Sequence, residues 1–260
     1  MKQLANRIAL VTGAGRGIGR AIAVEYAAEG ARVAVTARSE NELTELVSEI
    51  TAAGGEAVPF VADLSDRAVP NQLIADVKSQ MGGSIEVLIN NAGVGSSLDP
   101  RPIIEFDDEF WELSMMVNLT APYMLSKAVL QDMLDAGWGR IITVASINSR
   151  RPSLHGAAYS ASKHGVLGFM RVLALETAGT GVTANCICPG PVKTLLNDKR
   201  IEYDAKRLGR DLAEHEQSMT LIGGRLVPEE ISPMAVYLAT EKANMITGQA
   251  YNIDGGIDMA

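Results

Sequence analysis

The chain has 260 residues, 47% hydrophobic and 21% charged, enough to bury a large α/β core. A net charge of -8 argues against nucleic acid as a partner. Three histidines, none paired at ligand spacing, give no metal site, and Cys186 and Cys188, two residues apart on a strand, share a face and read as buried small hydrophobes rather than a disulfide.

The start, Met1 to Arg7, runs into an apolar stretch too brief and too closely charged for a signal peptide, and no segment is long enough to span a bilayer. A cytoplasmic protein with no membrane partner is expected. No linker, charge run or repeat divides residues 1–260, which read as a single domain.

Arg7 to Thr12 is a short β-branched and apolar strand that ends in Gly13-Ala14-Gly15-Arg16-Gly17-Ile18-Gly19 and is followed by helix-forming Arg20 to Glu29. Strand, glycine turn and helix in that order suit a pyrophosphate, which glycines admit and helix-start N–H groups attract. The spacing fits T-G-x-x-x-G-x-G on Thr12, Gly13, Gly17 and Gly19.

A second strand, Arg32 to Thr36, ends at Ala37-Arg38-Ser39 before a helix from Glu40 to Ala53. In a dinucleotide fold this strand tip meets the adenosine ribose, where an acid would bind the 2′-hydroxyl and an arginine a 2′-phosphate. Ala37 stands where the acid would be; Arg38 and Arg16 are either phosphate ligands or solvated charges.

Ala57 to Ala62 is a third strand ending in Asp63-Leu64, with Asp63 placed either to touch an adenine edge or to cap the helix from Asp66 to Met81. Val87 to Ile89 is a fourth, a continuous apolar run of the kind a parallel sheet needs, and it leads into Asn90-Asn91-Ala92-Gly93. A long helix is expected from Asp107 to Asp135 with Asn118 inside it, an unfavourable helix residue that invites a reason.

Arg140 to Ala145 reads as a buried strand with Ser146 at its end, and a helix through Tyr159 runs to Thr177. Tyr159 and Lys163 then project from one face, four residues apart. A phenol titrates near pKa ~10 and works near neutrality only if a cation favours its anion, which Lys163 supplies. Ser146 is placed to hold a carbonyl oxygen beside the tyrosine.

Together these motifs resemble the single-domain branch of the short-chain dehydrogenase/reductase family over essentially the whole chain. They follow the family's order: Thr12 to Gly19, Asn90 to Gly93, Asn118, Ser146, Tyr159 with Lys163, and Pro189-Gly190 after the strand Val182 to Cys188. The resemblance implies an α/β fold, a doubly wound seven-stranded parallel sheet of Rossmann type with helices on both faces, its last strand at Ala250 to Ile253. It makes Tyr159 the general acid or base, Lys163 the residue that lowers its pKa and holds the nicotinamide ribose, Ser146 the carbonyl positioner, and Asn118 the anchor of a proton-relay water. Asn91 braces the sheet, and Gly93, Leu64, Ile18, Pro189, Gly190, Val192 and Thr194 join the cofactor contacts.

The resemblance further implies a small-molecule substrate, a homotetramer, and a lid over residues 191–224 in which Leu195, Leu196 and Met219 face the substrate or pack the lid down. Tetramer contacts are expected on the helix from Tyr159 to Thr177, through Val166, Phe169 and Met170. NADP(H) is the expected cofactor, with NAD(H) as the alternative. The other readings are an NAD-dependent hydroxy acid or sugar dehydrogenase of the same family, or a non-catalytic dinucleotide sensor. The segment Arg171 to Gly190 resembles 3-hydroxybutyrate dehydrogenases, but those carry histidine and tryptophan where this chain has Asn148 and Pro191. Asn148, His155 and Gly95 are expected to line the substrate pocket, and Arg150 and Arg151 either attract an acidic substrate or are solvated.

Overall fold

A computed structural model of the protein describes residues 2–259. Its strands β1 (Ile8–Thr12), β2 (Arg32–Ala37), β3 (Glu56–Val61), β4 (Val87–Asn90), β5 (Gly139–Val144), β6 (Val182–Pro189) and β7 (Ala250–Ile253) form one parallel sheet in the order β3-β2-β1-β4-β5-β6-β7. The helices are α1 (Gly17–Ala28), α2 (Glu40–Ala52), α3 (Val69–Met81), α4 (Asp108–Met115), α5 (Ala121–Ala136), α6 (Ala157–Glu176), α7 (Leu195–Leu208), α8 (Leu212–Gln217) and α9 (Ser232–Ala239). Among the described residues no helix is long and apolar enough to cross a membrane.

The apolar runs make the sheet because both of its faces are covered. Leu10, Ala34, Leu88, Ile141 and Ala184 lie in one row across five strands and belong to one buried cluster, with Leu125 and Met170 from the covering helices. One residue on, Val11, Val35, Ile89 and Ile142 form the next row and belong to the opposite cluster, with Ile22, Tyr26 and Leu238. Each fully buried aliphatic side chain contributes about 1.5–3 kcal/mol. Cys186 and Cys188 are buried, free thiols in the first of these clusters, on one face as expected.

Strands run outward from β1 to β3, and the chain then returns to place β4 on the other side of β1. Loops leaving the carboxyl ends of β1 and β4 therefore diverge and leave a crevice, the usual ligand position of an open parallel sheet.

Three expectations need correction. The long helix from Asp107 to Asp135 is broken: α4 and α5 are joined by a π-helical turn, Met116–Thr120, in which the Ala121 N–H reaches back five residues to the Met116 carbonyl. Pro122, in the first turn of α5, has no N–H for the Asn118 carbonyl four residues before it. The helix placed from Asp66 begins only at Val69, because the side chains of Asp63 and Asp66 accept from Ser65 N and Ala68 N and make tight turns instead. On α6, Val166 and Met170 pack against the sheet, and Phe169 lies edge-on to Tyr123 of α5. The outward apolar residues of that helix are Val172, 52% exposed, and Leu175, 77% exposed.

Candidate active site

The crevice opens into a cleft of about 1770 Å³ bounded by the glycine loop, the ends of β4 and β5, the start of α6 and the segment carrying α7. Gly13 and Gly17 have φ of 64° and 57°, which other residues adopt only with strain. A Cβ on Gly13 would lie 2.8 Å from Ala92 Cα, one on Gly17 3.1 Å from Thr194 Cγ2, and one on Gly19 would collide with the Gly13 carbonyl and the Asn91 amide. The loop therefore sits close to β4 and to the start of α7 at once.

Asn91 fixes this approach, since its Nδ2 donates to the carbonyls of Thr12 and Gly13 at 2.8 and 3.1 Å. The start of α1 is not capped by a side chain, and its first turn contains no acidic residue. A pyrophosphate fits these features, because helix-start N–H groups without a side-chain partner favour an anion and only glycines let one approach.

Further along the cleft, Ser146 ends β5 and Tyr159 and Lys163 lie on the first turns of α6. Ser146 Oγ accepts from Asn148 N at 3.0 Å, which orients the hydroxyl at the turn. Burial pushes the Tyr159 phenol up, and a hydrogen bond with Ser146 works against that rise. Lys163 is buried, its Nζ donates to the Val144 carbonyl at 2.9 Å, and burial pulls its pKa down to about 8. Nζ lies 5.8 Å from the Tyr159 ring centroid. In this arrangement desolvation is the largest influence on both groups.

The Asn118 side chain is fully engaged. Its Oδ1 accepts from Val94 N at 2.9 Å, and its Nδ2 donates to the Val94 carbonyl at 3.0 Å and to Ser162 Oγ at 3.1 Å. The side chain is committed to the loop after β4, so any water it anchors must be held by its backbone carbonyl. Gly93 passes alongside, and a Cβ there would stand 3.2 Å from Asn118 Oδ1 and 4.0 Å from Lys163 Nζ.

At the other end of the cleft Ala37, Arg38, Asp63 and Leu64 gather as expected. Asp63 accepts from Ser65 N, and this bond, with a contribution from Arg38, holds its carboxyl below the usual range; it caps no helix. Arg16 is not unpartnered: its Nη1 lies 3.3 Å from Oε1 of Glu42, a residue that nothing in the local pattern singled out.

The 191–224 segment contains α7 and α8, and Val192 pairs with Leu226 as an isolated bridge. Thr194 caps α7 by accepting from Asn197 N, and Val192, Thr194, Pro189 and Gly190 all line the cleft. Leu195, Leu196 and Met219 line it too, with Leu196 lying over Gly95. Asn148 and Arg151 are cleft residues. His155 is not: its Nδ1 contacts the Tyr203 hydroxyl of α7, at a backbone φ of 58°. Arg150 donates to the Ala250 carbonyl and to Asn252, tying its loop to β7. Arg200, which the sequence reading passed over, clamps α7 down by bonding Leu154 O and Ser96 Oγ, and it pairs with Asp204 one turn along the same helix.

A family model described as short chain dehydrogenase matches residues 7–204. A D-beta-hydroxybutyrate dehydrogenase of Cupriavidus necator is 38% identical, over 97% of this chain and 98% of its own. A 3-oxoacyl-acyl-carrier-protein reductase of Escherichia coli is 35% identical, over 97% and 98%. Among solved structures, a variant of actinorhodin polyketide ketoreductase with NADPH superimposes with a TM-score of 0.92 at 36% identity, covering 100% of both chains.

Proposed function

The chain belongs to the short chain dehydrogenase family, and on that premise we propose how its own residues divide the work of the reaction. It is an oxidoreductase that interconverts a small-molecule carbonyl and alcohol with a nicotinamide cofactor. The nicotinamide gives or takes the hydride.

Tyr159 is the general acid in reduction and the base in oxidation. The observation that carries this is the meeting of three groups at one place in the cleft: the Tyr159 phenol, the Ser146 hydroxyl, and the buried Lys163 ammonium. A phenol pushed up by burial keeps its proton at neutral pH and so holds it ready for a carbonyl oxygen. Ser146, oriented by Asn148 N, supplies a second hydrogen bond to the same oxygen. Lys163 is mostly charged near neutrality and favours the anion left on Tyr159 once the proton has gone. The Asn118 carbonyl, denied its usual donor by Pro122, takes the water that returns a proton through Lys163.

Gly13, Gly17, Ile18 and Gly19, at the start of α1, would hold the cofactor's pyrophosphate. Arg38, Asp63 and Leu64 would hold its adenosine end, and Gly93, Pro189, Gly190, Val192 and Thr194 its nicotinamide end. NADP(H) is preferred, supported by Ala37 in place of an acid and by Arg38 and Arg16 beside it. The segment 191–224 is the lid, and substrate meets Ser146, Asn148 and Tyr159 beneath it. Purified protein assayed with NADPH and NADH against ketones, keto acids and their alcohols tests the reading. Turnover of at least one ketone is expected; cofactor binding with no turnover across the panel would favour a sensor instead.

A further inference from the structure

We propose that Glu42 tunes cofactor choice by competing with the ribose 2′-phosphate for Arg16, an inference that rests on reading the tip of β2 as the adenosine-ribose end of the cleft. Ser39-Glu40-Asn41-Glu42 has the spacing of a helix capping box, in which Ser39 would accept from Glu42 N and Glu42 would turn back to Ser39 N. Only the first half forms among the described residues: Ser39 Oγ accepts from Glu42 N at 3.4 Å. The Glu42 carboxylate leans instead over the glycine loop, where a Cβ on Gly15 would lie 2.5 Å from Glu42 Oε2 and 3.4 Å from Ala37 Cβ.

This places one carboxylate between the glycine loop and the tip of β2, 3.3 Å from Arg16 and lining the same cleft as Ala37 and Arg38. The first turn of α2 favours an anion there by its dipole, and the carboxylate already serves. A phosphate carrying close to two negative charges must displace the carboxylate from Arg16 and tolerate its repulsion. The Arg16 side chain is 62% exposed, so the ion pair is weak enough to exchange partners. Arg38 has Asp63 as an acidic neighbour, whose carboxylate also accepts from Ser65 N.

The test is a double-mutant cycle on the full chain, read as dissociation constants for NADPH and NADH by calorimetry, with 2′-AMP and AMP as probes of the adenosine end alone. Glu42→Gln is expected to tighten NADPH and 2′-AMP by about five- to tenfold and to change NADH and AMP by less than about twofold. In an Arg16→Leu background the same change should give less than half that gain on a logarithmic scale. Glu42→Ala, which leaves no carboxamide to contact Arg16, must move NADPH in the same direction. No gain for NADPH in either Glu42 variant, or an equal gain with and without Arg16, would overturn the proposal. Equal affinity of the parent for NADPH and NADH would instead remove the NADP(H) preference and leave the cycle readable.

Discussion

Asn118 and Val94 are joined by two hydrogen bonds, side chain to backbone, with the Val94 N–H donating to Oδ1 and the Val94 carbonyl accepting from Nδ2. The pairing mimics a strand ladder across the π-helical turn and holds the loop after β4 against the Ser162 hydroxyl of α6. Asn118→Ala should leave both Val94 groups without partners in a buried setting, costing about 2–4 kcal/mol in all. Chemical denaturation checks this, and a change below about 1 kcal/mol would mean the loop is held by other contacts. Activity should fall by more than stability alone explains, because Gly93 moves with that loop.

Lys163 makes stability depend on pH in a known direction. Its folded pKa, about 8, lies below its unfolded value near 10.4, so between those values the unfolded chain binds more protons and stability rises with pH. Below about pH 8 both states are charged and the full penalty of burying the ammonium is present. Lys163→Met should remove this dependence: the parent's stability relative to the variant's should climb by about 2 kcal/mol from pH 8 to pH 10. Taking the difference cancels the opposing effect of Cys186, whose thiol burial pushes up. A flat difference across that range would show that Nζ is not desolvated as found here.

The assembly is expected to be a homotetramer, or at least a dimer, built on the outward face of α5 and α6. Leu175 and Val172 leave apolar area exposed there, beside the edge-on pair Tyr123 and Phe169. Leu175→Arg should lower the mass seen by light scattering at micromolar concentration. A monodisperse monomer in the parent protein would end this expectation.

For cofactor choice, kcat/KM should favour NADPH over NADH by at least about tenfold, since one charge-assisted hydrogen bond contributes roughly 1.5–3 kcal/mol and solvent exposure removes part of it. The variant Ala37→Asp with Arg38→Leu should reverse the order, because the new carboxylate repels the phosphate and accepts from ribose hydroxyls. Comparable kcat/KM values in the parent would refute the assignment.

Much of this was legible because the sheet is buried on both faces. Val87 to Ile89 and Arg140 to Ala145 carry apolar runs of the kind a covered parallel strand needs, and Tyr159 with Lys163 gains its weight from its place in an ordered set of motifs. Pro122 removes a helix N–H and so marks a break within the stretch, but the π-helical form of the turn before it leaves no signature in the residue pattern. On α6, Gly165 and Gly168 leave apolar residues on nearly every side, so pattern alone did not separate the inward Val166 and Met170 from the outward Val172 and Leu175. Glu42 escaped because it reaches Arg16 across 26 residues, from a different turn, and its spacing to Ser39 suggests a purely local task. The depressed Lys163 and raised Tyr159 likewise depend on burial, which spacing does not report.

The most direct test of the central claim, that Tyr159 transfers the proton, is steady-state reduction of a ketone substrate by Tyr159→Phe beside the parent, with NADPH affinity measured on both. The phenylalanine keeps the ring and its packing and removes only the hydroxyl. The account predicts a fall in kcat of about 10²–10⁴ with the NADPH dissociation constant unchanged within a few-fold. A variant that retains most of the parent's kcat would contradict it and place the proton donor elsewhere in the cleft.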